Sequence, residues 1–104
     1  MSKIDFDQIY QEAVDKETKK LFACSINELL EKNDYGSIEA MNQGIKINIG
    51  WWKWERYEKN CYHIVFKAQR KLFLFYRQYL NGIKFDIESG TIEYLSDEEI
   101  GDYD

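Results

Sequence analysis

The chain has no proline, two cysteines and one histidine among its 104 residues. Cys24 and Cys61 lie far apart and outside any CxxC spacing, so we expect two buried thiols, with a disulfide between distant elements as the alternative. With a single histidine and no CxxC pair, we expect no metal site. Catalysis by a metal or by a cysteine pair is therefore not the expected chemistry.

Long apolar runs are also missing. No segment approaches the roughly 20 apolar residues that cross a bilayer. The first ten residues, MSKIDFDQIY, carry acids and lack the apolar core of a secretory signal. We therefore expect a cytoplasmic protein that has no membrane contact and folds as one domain over residues 1–104.

Basic residues are absent after Lys84. Residues 86–104 carry eight acidic side chains, whereas residues 53–84 carry eight basic side chains against two glutamates, within a formal net charge of −5. A basic, aromatic middle is thus followed by an acidic tail that begins near residue 96. This asymmetry indicates either an electrostatically matched partner or two parts of the fold that balance each other.

The first third of the chain has helical periodicity. Apolar residues recur at three- and four-residue spacing over residues 6–14 and again over residues 22–30. The sequence SINE at 25–28 fits a capping box, so we predict one helix ending near Cys24 and another beginning at Ile26, with one bent helix as the alternative. The turn-forming sequence NDYGS at 33–37 is predicted to end this region.

After Gly44 the apolar period becomes two, which is typical of strands. Trp51 and Trp52 then fall on opposite faces, with Trp54 beside Trp52. Gly50 lies where the pattern slips, which indicates either a β-bulge or a strand that is apolar on both sides. A turn at 57–60 leads to a second alternating strand.

Two short sequences predict the last hairpins: NG at 81–82, and ESGT at 88–91. The predicted pairs are Leu80 with Ile83, Arg77 with Asp86, Tyr76 with Ile87, Ile87 with Ile92, and Phe85 with Tyr94. These registers send one set of side chains towards the helices: Leu72, Leu74, Tyr76, Leu80, Ile83, Phe85, Ile87, Ile92 and Tyr94. The opposite face receives Phe73, Phe75, Arg77, Tyr79, Lys84, Asp86, Glu88 and Glu93.

The fold class that follows is α+β, with one or two N-terminal helices packed on an antiparallel β-meander of about five strands. A second capping box, SDEE at 96–99, predicts a short helical turn from Ile100 before a frayed acidic end.

A catalytic set is hard to draw from these residues. His63 is the only histidine, and a general base there would need support from Glu55 or Glu58. Cys61 and His63 point the same way from a strand, but no third residue orients them. We therefore expect no enzyme, no catalytic residue and no cofactor.

The tryptophans allow two binding functions. A single-stranded nucleic-acid module would stack bases on Trp52 and Trp54 and hold phosphates with Arg70 and Arg77. The acidity of the chain works against nucleic acid, because nonspecific affinity comes mainly from phosphate neutralisation. A protein interface fits at least as well, since Trp, Tyr and Arg are common anchors there.

Small size, acidity, abundant aromatics and the lack of a catalytic set resemble the immunity proteins that bacteria pair with their toxins, and also small phage-encoded inhibitors such as anti-CRISPR proteins. This resemblance implies a toxin inhibitor whose partner is a basic protein, possibly a nuclease, with its active site occluded. The hypothesis assigns partner contacts to Trp52, Trp54, Tyr79, Asp86, Glu88, Glu93, Asp97, Glu98, Glu99 and Asp102. Nucleic-acid binding is the alternative, and a homo-oligomeric structural protein is the third possibility.

Overall fold

The computed structural model describes residues 4–56 and 60–104, so most of the turn predicted at 57–60, and Glu58 with it, lies outside the described residues. The helices are α1 (Phe6–Lys20, followed by a 3-10 turn, Leu21–Ala23), α2 (Ile26–Glu31) and α3 (Asp97–Gly101). The strands are β1 (Tyr35–Asn42), β2 (Ile45–Glu55), β3 (Cys61–Leu72), β4 (Phe75–Asp86) and β5 (Ile92–Tyr94). They form one antiparallel sheet in chain order, which confirms the α+β prediction.

Side-chain caps fix where the helices begin. The Asp5 carboxylate accepts the Gln8 N–H at 3.1 Å at the start of α1. Ser25 and Glu28 form the predicted capping box, so the N-terminal region is two helices rather than one bent helix. Among the described residues, no helix is both long enough and apolar enough to cross a membrane.

The sheet has two distinct faces. The face covered by α1 and α2, here called the helix face, holds the core. Its buried strand residues are Ile47, Ile49, Ile64, Phe66, Ala68, Ile83 and Phe85. We call the other the tryptophan face, because Trp52 and Trp54 lie on it, as their alternation with Trp51 predicts. β2 pairs without a break through Gly50, so that glycine marks a strand apolar on both sides and not a bulge.

The first strand was not predicted. Residues 33–37 were expected to form only a turn, yet β1 starts at Tyr35 and pairs with β2 along its whole length. β1 is an edge strand with alternating exposure and few large apolar residues, so its periodicity is weak in the sequence. The turn lies instead at Gln43 and Gly44, whose φ angles of 50° and 78° suit a tight hairpin between β1 and β2.

The hairpin turn predicted at Asn81–Gly82 does not form. β4 runs straight through both residues, and the chain reverses earlier, at Phe73 and Leu74. Gly82 is needed for close packing, because a Cβ there would overlap the Ile64 carbonyl oxygen and the Leu95 side chain. Consequently none of the three pairs predicted around that turn forms: Leu80 pairs with Lys67, Arg77 with Arg70 and Tyr76 with Lys71.

The second predicted hairpin forms with a different register. The chain reverses between Asp86 and Thr91, but Phe85 pairs with Ile92 and Ile83 with Tyr94, not Ile87 with Ile92 and Phe85 with Tyr94. A shift of two residues keeps every side chain on its predicted face. The lost turn at 81–82 has the opposite effect: Arg77 and Tyr79 join the helix face, and Tyr76 and Leu80 join the tryptophan face.

Candidate binding face

The three neighbouring tryptophans have different environments. Trp51 lies on the helix face, where its ring nitrogen donates to the Asn33 carbonyl at 3.3 Å and its ring packs near Phe66. Trp52 and Trp54 lie on the other face, each 39% exposed, with nearly parallel rings 6.4 Å apart. Tyr35 lies opposite Trp52 in the β1–β2 pairing and is also exposed. These rings give the tryptophan face an aromatic surface in water.

A fourth ring, that of Tyr103, extends this row. Its centroid lies 5.1 Å from that of Trp54 with an angle of 16°, and the Arg56 guanidinium lies over it at 5.6 Å. Side chains 52, 54 and 56 follow one another along the same face of the chain, so Tyr103 inserts between Trp54 and Arg56. Trp54 therefore has an aromatic neighbour on each side.

The C-terminal segment, residues 95–104, is docked on the tryptophan face. Leu95 is buried, and its N–H donates to the Gly82 carbonyl at 2.9 Å. The Lys84 ammonium donates to Glu99 at 3.2 Å, and Arg56 lies 3.8 Å from Asp102. The prediction of a frayed acidic end is therefore wrong, because basic residues of the sheet hold this segment in place. The capping box at Ser96 and Glu99 is confirmed, although α3 begins at Asp97 rather than Ile100.

His63 lies beneath this segment. Its Nδ1 is 2.9 Å from the Tyr103 hydroxyl, and its Nε2 is 3.8 Å from a Glu99 oxygen. Burial, followed by the nearby Arg56 charge, lowers the pKa of the imidazole, which is therefore neutral at pH 7. Glu55 does not give the support that a general base at His63 would need, because Glu55 lies opposite Tyr62 and Trp54 is the residue opposite His63. The ring acts here as a docking partner for Tyr103.

Several of the proposed acidic contacts remain exposed around α3. The side chains of Glu93 and Asp102 are 65% and 67% exposed, and Asp97 and Glu98 are exposed in the first turn of the helix. Glu99 is partly buried, and its bonds to Ser96 and then Lys84 lower the pKa of its carboxyl. Glu93, Asp97, Glu98 and Asp102 are thus the acids left to meet a partner.

Asp86 and Glu88 belong to the turn between β4 and β5. The Asp86 carboxylate accepts the N–H groups of Glu88 at 2.8 Å and Ser89 at 3.0 Å. Asp86 therefore stabilises the turn, while Glu88 is exposed at its tip.

Tyr79 is the proposed contact that the structure removes from this face. It is 4% exposed on the helix face, its ring lies 5.2 Å from that of Tyr10, and its hydroxyl donates to Asp7. That hydrogen bond is the main reason for the lowered pKa of the Asp7 carboxyl, and burial raises the pKa of Tyr79. Tyr79 therefore joins α1 to β4 and lies on the face opposite Trp52 and Trp54.

The residues assigned to nucleic-acid binding do not lie on one surface. Arg70 and Arg77 lie on the helix face, where both bind Asp7, whereas Trp52 and Trp54 lie on the opposite face. The tryptophans and the two arginines therefore cannot contact the same short stretch of single strand.

The functional features that sequence reasoning missed are Tyr35, His63 as a docking residue and Tyr103. Tyr103 sits in the acidic sequence GDYD, and a lone aromatic residue there was the only available signal. With Trp52 and Trp54 it lines a shallow pocket of about 250 Å³, together with Val65, Lys67 and Leu80.

Comparison with family models, with curated proteins and with solved structures finds no match to this chain. The function therefore has to be inferred from the chemistry of the surface itself.

Proposed function

We propose that this protein is an inhibitor of the immunity type, which neutralises a protein toxin by covering its active site. The proposed contact surface is the tryptophan face with the C-terminal segment docked on it. One observation carries the proposal: partly exposed indoles and a group of exposed carboxylates belong to a single surface, because Tyr103 and Glu99 hold residues 95–104 against the sheet.

Each part of this surface has a role in the proposal. Trp52 supplies the central apolar contact, since indoles are frequent hot spots of protein interfaces and lose little side-chain entropy on binding. Glu93, Asp97, Glu98 and Asp102 form a charged rim, which speeds association with a basic partner. A nuclease cleft that binds phosphates is such a partner, and the carboxylates would occupy the positions of phosphate charges.

The internal ion pairs support a binding role for this rim. Lys84 and Arg56 neutralise part of the charge of Glu99 and Asp102, so both carboxylates help to position the segment, and Asp102, whose side chain is 67% exposed, also remains part of the rim. Asp97 and Glu98 have exposed side chains in the first turn of α3, where the helix dipole stabilises negative charge. We propose no catalytic role and no cofactor for this face.

The experiment begins with capture of the partner from native cells at moderate salt and an assay of the captured protein, free and bound. The proposal expects its activity to be silenced in the complex. Replacement W52A is expected to weaken the purified complex at least about 30-fold, the size of a hot-spot effect.

Charge reversal tests the rim separately. The double variant D97K/E98K is expected to associate roughly tenfold more slowly at low salt and to lose most of the salt dependence. The matched control, E12K/E31K, reverses two exposed acids on α1 and α2 and is expected to associate much faster than D97K/E98K. A partner that stays active in the complex, or equal rates for the two double variants, would refute this function.

A further inference from the structure

The hairpin of β3 and β4 extends beyond the rest of the sheet. β2 pairs with β3 only as far as Ile49 and Ala68, whereas β3 and β4 remain paired out to Leu72 and Phe75. Residues 69–78 therefore form a two-stranded ribbon. Its base is held to α1 by Asp7, which binds both arginines of the pair Arg70 and Arg77.

The tip of this ribbon, residues 71–76, is apolar and in water. Phe73, Leu74, Phe75 and Tyr76 are 90%, 84%, 63% and 59% exposed. Taking about 200 Å² for each aromatic residue, they leave on the order of 500 Å² uncovered. That area matches the largest patch on a typical monomer and is most of the roughly 800 Å² that each partner buries in a standard interface. The tip is thus large enough to form most of one side of an interface.

A cleft of about 540 Å³ lies further along the same strand, at the outer edge of β4 between α1 and α3. Its walls combine apolar and acidic side chains, from Leu80, Tyr94, Leu95, Ile100, Asp15 and Asp97, with Gln11 and Asn81. β5 pairs with β4 only from Ile83 to Phe85, and within the described residues no strand pairs with the outer edge of β4 before Ile83. The cleft therefore opens onto an unpaired strand edge.

The tip and the cleft are complementary. The tip is convex, apolar and carries the exposed cation Lys71, whereas the cleft is concave and apolar with Asp15 and Asp97 at its walls. They are about seven residues apart on β4, or roughly 23 Å at the rise of a strand. A tip cannot reach the cleft of its own chain, because both belong to one straight strand. The cleft of a second copy is within reach.

We propose that this protein forms a two-fold symmetric dimer in which the ribbon tip of each copy occupies the cleft of the other. A two-fold axis that passes beside Arg77 pairs the β4 strands of the two copies in antiparallel orientation. Residues 73–74 of one copy then lie beside residues 80–81 of the second. The Leu80 and Gly82 carbonyls point outward, to Gln11 and Leu95, so the backbone groups of Tyr76 and Gln78 point outward as well.

In that register, residue 76 of each copy lies opposite residue 78 of the other, and the two residues exchange backbone hydrogen bonds on both sides of the axis. Each Arg77 retains its own Asp7 carboxylate, which offsets the like charges that meet at the axis. Each copy contributes a tip and a cleft, so the buried area per copy exceeds that of the tip alone and reaches the standard range.

Sedimentation velocity of the full chain over a wide concentration range tests the dimer. The variant F73S/L74S removes two side chains that touch little of their own chain, so it keeps the fold, and it is expected to raise the dimer dissociation constant at least about 30-fold. The control Y35S/M41S removes exposed apolar groups from β1, at the far edge of the sheet, and is expected to leave the constant unchanged.

A charge exchange distinguishes tip-in-cleft from tip-to-tip contact. Lys71 pairs with Tyr76 and therefore lies on the tryptophan face, the face on which α3 and Asp97 are docked. K71E and D97K are each expected to weaken the dimer, and the double variant K71E/D97K is expected to recover it, since the swapped pair is again opposite in charge. A chain that is monomeric at every concentration, a dimer indifferent to F73S/L74S, or no recovery in K71E/D97K would each overturn the proposal.

Discussion

Lys53 holds the end of α2 on the sheet, and its replacement by methionine measures that attachment. The side chain is 7% exposed on the helix face, with its ammonium group at the C-terminal end of α2. It donates to the carbonyls of Leu30 at 2.7 Å and Leu29 at 3.5 Å and also to that of Lys32. A helix of six residues has few other ways to satisfy its last carbonyls.

The variant K53M retains an unbranched apolar side chain of similar length and removes all three hydrogen bonds. The Leu29 carbonyl keeps the Lys32 N–H as a donor at 3.3 Å, and each of the other two carbonyls, left without a donor, costs about 1–3 kcal/mol. Two effects offset part of this cost. Methionine does not require an ammonium group to be removed from water, and water can hydrogen-bond to some of the carbonyls. We expect a net loss of about 2 kcal/mol in the free energy of unfolding. For a chain of this size that corresponds to a fall of roughly 10 °C in Tm.

Urea unfolding followed by tryptophan fluorescence and by circular dichroism measures this loss. K46M is the matched control: Lys46 lies on the same strand, but its side chain is 70% exposed and its nearest carboxylate is 3.9 Å away. We expect K46M to change stability by less than about 0.5 kcal/mol. A K53M protein as stable as the control would show that the α2 carbonyls do not depend on the lysine, and the reasoning would be refuted.

Three further changes test other contacts. Y79F removes the hydroxyl that donates to Asp7 and should lower Tm by about 4–8 °C in a thermal scan. G82A should cost about 1–3 kcal/mol in urea unfolding, because the new Cβ meets the Ile64 carbonyl. Because folding lowers the pKa of His63, the unfolded chain binds the proton more readily than the folded chain. The free energy of unfolding should therefore be largest above about pH 6.5 and should decrease as the pH falls towards the lower pKa of the folded state. In H63Q, which lacks the only histidine, that fall between pH 7 and pH 5 should disappear.

Local signals in the sequence were sufficient for the N-terminal helices and for the alternation of side chains along β2 and β3. The capping boxes at Ser25 and Ser96 depend on side chains three residues apart, so a short stretch of sequence is enough to predict them. The alternation that separates Trp51 from Trp52 is likewise a property of the strand itself. These predictions are confirmed because no distant residue decides them.

The Asn81–Gly82 prediction failed because two physical needs favour the same dipeptide. Asn-Gly suits a turn that requires positive φ, but glycine also suits a strand position where another chain segment passes close by. Here Leu95 packs against Gly82, and the Asn81 side chain donates to Asp15 on α1. Both partners are distant in sequence, so no local pattern distinguishes the turn from the packed strand.

The position of the acidic segment could not be predicted for a related reason. A run of carboxylates without lysine or arginine is usually solvated. The cations that bind it are far apart in the sequence, since Arg56 directly follows β2 and Lys84 lies on β4. Only the folded sheet brings these cations and the buried His63 together on one face. The candidate surface is therefore a product of tertiary structure, although several of its residues were predicted from composition.

The proposed inhibitor surface and the proposed dimer interface share one residue. Asp97 belongs to the acidic rim of the tryptophan face and also lines the cleft at the outer edge of β4. A basic toxin and the Lys71 side chain of a second copy would thus both be attracted to that carboxylate. If the two proposals hold together, toxin binding and self-association are coupled, and by reciprocity each weakens the other by the same factor. A protein stored as a dimer would then release monomers as its partner binds.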